Sequence, residues 1–135
     1  MELLTPEMRA ALRANADAAM ANEGRHDPVP VVKWFNPAGA ATWLVTELDA
    51  DGDTLFGLAD LGFGCPELGS FSLSEIAALR LPFGLTIERD LTFETQRTLS
   101  YWAEVARHRG SISDAEQWIL RNAPPLPAND PLPPS

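Results

Sequence analysis

Apolar residues near the N-terminus recur at the spacing of one face of a helix. Between Thr5 and Gly24 they form a narrow stripe along an otherwise polar segment, at Met8, Leu12, Ala16, Ala19 and Met20. Thr5 is a suitable N-cap, Pro6 suits the first helical position, and Gly24 supplies a C-terminal stop. This pattern predicts an amphipathic helix at the start of the domain.

Three short segments rich in β-branched and aromatic residues follow, and each predicts a strand. Their sequences are VVKWF, ATWLVTELD and TLFGLADLG. Asp51 and Gly52 mark a hairpin turn between the second and the third, so the three strands are predicted to form an antiparallel meander. Pro28 and Pro30 precede the first strand, which favours an edge position or a strand start, and an exposed edge there permits a homodimer.

Three further helices are predicted after the strands. Ser72 with Glu75 forms a capping box that opens a short helix. The segment TLSYWAEVARHRG is apolar along one helical face and stops at Gly110. A second capping box, Ser113 with Glu116, opens the last helix.

These elements predict an α+β fold. The sheet is expected to be small and antiparallel, with three to four strands in a meander, packed with N-terminal and C-terminal helices. Residues 86–93 are the candidate fourth strand. Residues 1–122 form a single predicted globular domain, and the proline-rich residues 123–135 a predicted mobile tail.

Composition narrows the function classes. The chain has 135 residues and a net charge of −9, and Lys33 is its only lysine. A duplex-binding protein needs clustered Lys and Arg, and no such cluster is visible in the sequence. No apolar run reaches the ~20 residues of a membrane span. A single cysteine and an N-terminus without a basic region are typical of a cytoplasmic protein.

Acidic residues concentrate in the middle of the chain. Residues 31–70 hold six acids and one base, which is −5 of the net −9. The six form a candidate acidic binding surface: Glu47, Asp49, Asp51, Asp53, Asp60 and Glu67. Three of them have the alternate spacing of a calcium loop, but the glycine is fourth and not sixth. A hairpin turn is therefore predicted there, with no metal site.

The segment DLGFGCPELG, residues 60–69, combines three glycines, a proline, the single cysteine and two carboxylates. Asp60 and Glu67 are a candidate acid–base pair, and Cys65 a candidate nucleophile. Neither histidine lies near Cys65 in sequence, so a buried thiol is the favoured interpretation. Asp60 is expected to accept hydrogen bonds from the turn backbone, and the glycines to let the chain cross tightly to Ser72. No catalytic residue, metal or cofactor is assigned.

Scattered basic residues leave nucleic-acid binding as another alternative. It requires six side chains to converge in three dimensions: Lys33, Arg80, Arg89, Arg97, Arg107 and Arg109. The aromatic residues of the middle segment are predicted to be mostly core. A platform that stacks nucleobases is lined with basic residues, and the only basic residue of this segment is Lys33.

The segments PVVKWFNP, ATWLVTELD, FGLADLGFGCPELG and SLSEI, in that order, resemble an uncharacterised bacterial family, domain of unknown function 2958. The resemblance spans about Leu3 to Gly110. Members of that family are carried mainly on plasmids and integrative conjugative elements, often near antirestriction-type genes. The resemblance implies that setting, but it supplies neither an activity nor catalytic residues.

The sequence thus favours a non-catalytic accessory protein of a mobile genetic element that acts by protein–protein interaction. Its expected partner is an unidentified bacterial protein, of which a DNA-handling protein is one candidate class. Three alternatives remain: an acidic DNA mimic with an antirestriction or anti-defence role, a nucleic-acid binder using Lys33 and the C-terminal arginines, and an enzyme using Asp60, Glu67 and Cys65.

Overall fold

The computed structural model describes residues 2–124, which fold into four helices and five strands. The helices are α1 (Pro6–Ala21), α2 (Leu73–Ala78), α3 (Leu99–Arg109) and α4 (Ile112–Asn122). The strands are β1 (Val32–Phe35), β2 (Thr42–Leu48), β3 (Thr54–Asp60), β4 (Glu67–Ser72) and β5 (Glu88–Arg89). A single 3-10 turn at Pro82–Gly84 lies between α2 and β5.

The five strands form one antiparallel sheet in the order β4-β3-β2-β1-β5. The predicted α+β class and the meander of β1 to β3 are confirmed. The sheet has one strand more than the three to four predicted, because Glu67–Ser72 continues the meander as β4. The chain therefore does not cross directly from the glycine-rich segment to the cap of α2.

Both faces of the sheet are covered, and each has its own apolar core. The core on the α1 face includes Leu12, Trp34, Trp43, Val45 and Leu55. The core on the α3 and α4 face includes Leu44, Leu58, Trp102, Ala106 and Ile112. Alternate residues of β2 and β3 enter opposite cores, as the pleat of a strand requires. No helix within residues 2–124 has the length and hydropathy to cross a bilayer.

β1 is not an edge strand, so of the two placements that the prolines before it favour, the structure shows the strand start. Its outer side pairs with β5, where Trp34 lies opposite Arg89 and Phe35 opposite Glu88. The main-chain N–H of Asp90 also donates to the carbonyl of Lys33 at 3.0 Å. The open edges of the sheet are β5, which has two residues, and β4, which has six.

The predicted caps are confirmed at two helices and corrected at a third. Thr5 Oγ1 accepts the N–H of Met8 at the start of α1, and Ser72 Oγ accepts the N–H of Glu75 at the start of α2. The N-cap of α4 is Ser111 and not Ser113. Gly110 ends α3 in a left-handed conformation with φ of 91°, so the next residue is already extended and caps the new helix. The predicted mobile tail lies outside the described residues from position 125 onward.

Candidate functional site

The glycine-rich segment is anchored by a buried carboxylate at the end of β3. Asp60 is 1% exposed. Its Oδ1 accepts the N–H of Gly62 at 2.9 Å, and its Oδ2 accepts the N–H of Ile112, also at 2.9 Å. The first bond is the turn contact expected from sequence. The second joins the end of β3 to the first turn of α4, where a negative charge also complements the helix dipole.

The β3–β4 loop, residues 61–66, leaves Asp60 along a path that needs glycine. Gly62 and Gly64 have φ of 93° and 85°, in the left-handed region that other residues resist. A Cβ on Gly62 would also lie 3.0 Å from the Cβ of Ala40. Pro66 is buried at the far end of the loop. Both ends of the loop are therefore fixed to the body of the domain.

Between these fixed ends the loop presents apolar side chains to solvent. Leu61 is 57% exposed and Phe63 is 81% exposed. Cys65 is exposed as well, so the prediction of a buried thiol is wrong. The buried position is taken instead by Pro66, because the loop projects beyond the end of the sheet. The three exposed side chains line a pocket of about 230 Å³ together with Ala59 and Glu67.

On its other side the loop borders a cleft of about 480 Å³, which we call the Lys33 cleft. The cleft walls include the β3–β4 loop and the α3–α4 junction, through Gly62, Gly64, Gly110, Ser111 and Ser113. Lys33 and Asp90 lie in the same cleft. The cleft therefore sits where the sheet, the loop and the last two helices meet.

Lys33 is the centre of an ion-pair cluster in this cleft. Its side chain is 12% exposed, and its Nζ lies 2.7 Å from Glu116 Oε1 and 3.3 Å from Asp90 Oδ2. Burial raises the pKa of Asp90, but hydrogen bonds from Thr92 and Lys33 outweigh it, so the net pKa is lowered. Two carboxylates from different elements therefore share the single ammonium group of Lys33.

The structure brings together two of the three residues of the enzyme hypothesis: Cys65 and Glu67 line the 230 Å³ pocket, and Asp60 does not. Glu67 pairs with Ala59, whose side chain faces the α1 core, whereas the neighbouring Asp60 faces the other side of the sheet. Both carboxylate oxygens of Asp60 already accept main-chain hydrogen bonds. The two histidines, which would be the bases for a Cys65 nucleophile, contact other residues. The Nε2 of His26 lies 3.5 Å from Asn15 Oδ1, and the Nδ1 of His108 contacts the carbonyl oxygen of Glu104 in its own helix.

Four of the six predicted acidic residues lie at the opposite end of the sheet from the β3–β4 loop, around the β2–β3 hairpin. They are Glu47, Asp49, Asp51 and Asp53. Glu67 is exposed beside the β3–β4 loop, and buried Asp60 belongs to the interior. The predicted acidic surface is therefore divided between two ends of the molecule. Within residues 2–124 no group of His, Cys, Asp or Glu has the arrangement of a metal site.

Two of the hairpin carboxylates hold local structure. Asp51 accepts the Thr54 hydroxyl at 2.6 Å and the N–H groups of Asp53 and Thr54 at 2.8 Å each, and these bonds lower its pKa to about 2. Asp53 accepts the N–H of Ser74 and the hydroxyl of Ser72, both at 2.8 Å, which lowers its pKa and ties the hairpin to α2.

Glu47 and Asp49 make no such bonds within residues 2–124. Burial raises the pKa of half-buried Glu47, the charge of nearby His26 opposes that rise, and the charge of Asp49 adds to it. These two side chains are therefore the hairpin acids that are most available to a partner.

The candidate nucleic-acid residues are largely engaged by the chain itself. Lys33 is held in the ion-pair cluster described above. Arg80 donates to the carbonyls of Ala77 and Leu79, and Arg89 to that of Glu2. Arg97 lies 5.0 Å above the Tyr101 ring. Arg107 and Arg109 occupy the last turn of α3, where cations favour the helix dipole.

Sequence reasoning missed Leu61 and Phe63 as exposed surface residues. The sequence did offer an indication, because Phe63 stands between two glycines in a segment that must turn sharply. An apolar side chain at the tip of such a turn has no neighbouring strand residue to pack against. The missing information was the direction in which the loop projects.

Comparison with known proteins assigns the chain to a family but does not assign it an activity. No curated protein and no solved structure matches the chain. A family model with the description "Protein of unknown function (DUF2958)" matches residues 3–113, which includes the whole sheet, the β3–β4 loop and the residues that line the Lys33 cleft. The chain therefore belongs to this family of unknown function, DUF2958.

Proposed function

We propose that this chain is a non-catalytic protein-binding module and that the β3–β4 loop is its contact with a partner protein. The observation that carries this proposal is the exposure of Phe63, at 81%, on a loop whose base is fixed by Asp60. An exposed phenylalanine on a mobile loop would be unremarkable. An exposed phenylalanine that is held in place beside Leu61 and Cys65 supports recognition of a partner protein.

Energetic arguments support the loop as a contact. Aromatic side chains that enter a partner's pocket supply a large share of binding energy in protein interfaces. A loop that is already ordered loses less conformational entropy on association. The bonds of Asp60 and the left-handed glycines supply that order here. The 230 Å³ pocket beside Phe63 offers room for an apolar side chain of the partner.

The setting is inferred from the family resemblance. We infer that the chain works in the cytoplasm of a bacterium that carries a plasmid or conjugative element. Its partner is a bacterial protein, with DNA-handling proteins as the first class to test. In this role the module alters its partner by occupying a surface, and no covalent step is needed.

The test combines capture with a pair of matched variants. The tagged chain is used to capture partners from a bacterium carrying the element, and the partner is then purified so that its affinity can be measured. Phe63→Ala is expected to weaken binding by roughly 30-fold, corresponding to a hot-spot loss of ~2 kcal/mol. Phe83→Ala is the control, because Phe83 is 96% exposed at a different place, the 3-10 turn. Equal affinity of Phe63→Ala and the unmodified chain would contradict the loop as the contact.

Binding to the same partner also distinguishes the loop contact from the acidic-decoy alternative. Neutralising Asp51 or Asp53 would disturb the hairpin, because the Asp51 carboxylate bonds within its turn and the Asp53 carboxylate ties it to α2. The double variant Glu47→Gln/Asp49→Asn removes charge with less structural damage. A decoy is expected to lose affinity in this variant and to bind more weakly as salt rises. Loop-mediated binding is expected to be nearly unchanged in it.

A further inference from the structure

The outer edge of β4 is open and lacks the usual protection against strand addition. β4 ends the sheet, and within residues 2–124 no strand pairs with its outer side. Its sequence, ELGSFS, contains no proline, lysine or arginine, and its pairing with β3 is regular over all six residues. Natural edge strands are ordinarily short, charged, bulged or interrupted by proline. The opposite edge, β5, meets this rule with two residues.

The pairing pattern identifies which main-chain groups of β4 face outward. The N–H of Leu73 donates to the carbonyl of Asp53 at 2.9 Å. In an antiparallel ladder this makes the adjacent pair, Ser72 with Thr54, a pair that exchanges no hydrogen bonds. By alternation, Glu67, Gly69 and Phe71 bond to β3. The N–H and C=O groups of Leu68 and Ser70 therefore point away from the sheet.

We propose that a second copy of this chain pairs with β4 in an antiparallel arrangement about a two-fold axis at Gly69. The two five-stranded sheets then form one continuous sheet. In this register Leu68 faces Ser70 of the partner subunit, and Ser70 faces Leu68 of the partner subunit. Each facing pair exchanges two main-chain hydrogen bonds, so the outward groups of Leu68 and Ser70 are all satisfied.

The ends of the paired segment are also compatible. One residue before β4, Pro66 has no N–H to donate. The residue that would face it is Ser72 of the partner subunit, and the carbonyl of Ser72, as the N-cap of α2, already accepts the first bond of that helix. The N–H that Pro66 lacks would therefore have faced the Ser72 carbonyl of the partner subunit, which already has a donor, so no acceptor is left unpaired by the proline.

Side chains along β4 tolerate this pairing with a second copy. Gly69 has open space where a Cβ would stand, so the close approach of two Gly69 residues meets no obstruction. Glu67 is the only charged residue of β4, and it lies opposite Phe71 of the partner subunit. Like charges are therefore not placed opposite each other, an arrangement that would weaken a strand pair. Leu68, which is 42% exposed, lies on the α3 and α4 face, and the partner subunit would cover part of it there.

The dimer is expected to be weak and to depend on salt. One short strand from each copy makes an interface at or below the ~1,200 Å² lower limit of stable complexes. Each copy also carries a net charge of −9, so the two copies repel. Salt screens this repulsion, and the dimer is expected to tighten as salt increases.

Sedimentation of the full chain tests the proposal, from about 10 µM to about 1 mM, concentrations that correspond to weak association. Ser70→Pro removes an outward N–H, while Ser70 makes no hydrogen bond to β3. Gly69→Lys places two lysines face to face at the two-fold axis, in open space and at an ordinary φ. Gln117→Lys makes the same charge change on the exposed side of α4.

The expected result is a reversible dimer for the unmodified chain and for Gln117→Lys, tighter at about 0.5 M salt than at low salt. Ser70→Pro and Gly69→Lys should weaken it at least tenfold while keeping the circular dichroism spectrum of the unmodified chain. A monomer at ~1 mM in both salts would overturn the proposal. A dimer that both variants retain would overturn it as well. Neither result bears on the β3–β4 loop, because no other protein is present.

Discussion

At the scale of single residues, Asp60 determines how the candidate site is built. Its carboxylate is buried, yet both oxygens accept main-chain hydrogen bonds, one from the loop and one from α4. A buried carboxylate without such partners would be strongly destabilising. One member of the candidate acid–base pair therefore serves to position the loop that carries Phe63.

Replacing Asp60 should lower stability in proportion to the acceptors that are lost. Asp60→Ala leaves the N–H groups of Gly62 and Ile112 without partners, at about 1–3 kcal/mol each, so a loss of about 2–6 kcal/mol is expected. Asp60→Asn keeps one acceptor and should lose about half as much. Urea unfolding measures both, and Glu67→Ala on the exposed strand is the control. An Asp60→Ala loss no larger than that of the control would contradict the positioning role.

Only half of this role could be predicted from sequence. An aspartate followed by Leu-Gly is a frequent acceptor for its own turn, and the bond to Gly62 confirms that prediction. The bond to Ile112 spans 52 residues of sequence. No local pattern reports such a contact, because it depends on how α4 docks against the end of β3.

Asp51 gives the hairpin a stability that depends on pH. Hydrogen bonds from Thr54, first through the hydroxyl and then through the N–H, lower its pKa from 3.8 to about 2. A carboxyl whose pKa is lower in the folded state stabilises the fold above pH ~4 and loses that contribution as pH falls toward 2. Asp51→Asn should therefore lower the melting temperature at pH 6 and differ little from the unmodified chain near pH 2. Thermal unfolding across that range checks it, and an equal difference at both ends would contradict it.

At the scale of elements, the Lys33 cluster joins α4 to the sheet. Lys33 belongs to β1, Asp90 follows β5, and Glu116 lies on α4. The cluster therefore links three elements that local sequence alone does not bring together. Two of its members, Lys33 and Asp90, also line the Lys33 cleft beside the β3–β4 loop. The residues that attach α4 to the sheet and the glycines of the β3–β4 loop therefore line the same cleft.

Removing the cation should loosen that link. Lys33→Ala leaves Asp90 and Glu116 facing each other without a counter-charge, which is expected to cost about 2 kcal/mol, less than for a fully buried pair because both carboxylates are partly exposed. Arg107→Ala removes the same charge from an exposed position of α3 and is the control. Urea unfolding of both variants measures the difference. Equal losses in the two would show that the cluster contributes only its net charge.

Elements with a strong periodic pattern were predicted from sequence, and so were the three later helices, from their caps and stops. The stripe of α1 and the β-branched runs of β1 to β3 have this property, and all four were predicted. β4 was missed because ELGSFS has neither alternation nor β-branched residues, and it is a strand only because β3 pairs with it. The N-cap of α4 was placed two residues late, since both Ser111 and Ser113 precede an acidic residue at capping distance.

At the scale of the whole molecule, the two ends of the sheet differ in chemistry. One end carries the acidic β2–β3 hairpin, with Glu47 and Asp49 available to solvent. The other presents the apolar side chains of Leu61 and Phe63. Net charge places the protein among acidic chains but does not distinguish these ends. Their separation makes an apolar contact and an acidic contact independently testable by mutation.

The most direct measurement of the central claim, that the β3–β4 loop contacts a partner, is site-specific photo-crosslinking in living cells. A benzophenone amino acid replaces Phe63 in one strain and Phe83 in another, both strains being of the host proposed above. The account predicts a discrete adduct with one protein from position 63 and none with that protein from position 83. Adducts with the same protein only from position 83, or no adduct from position 63 when the folded chain is present, would contradict it.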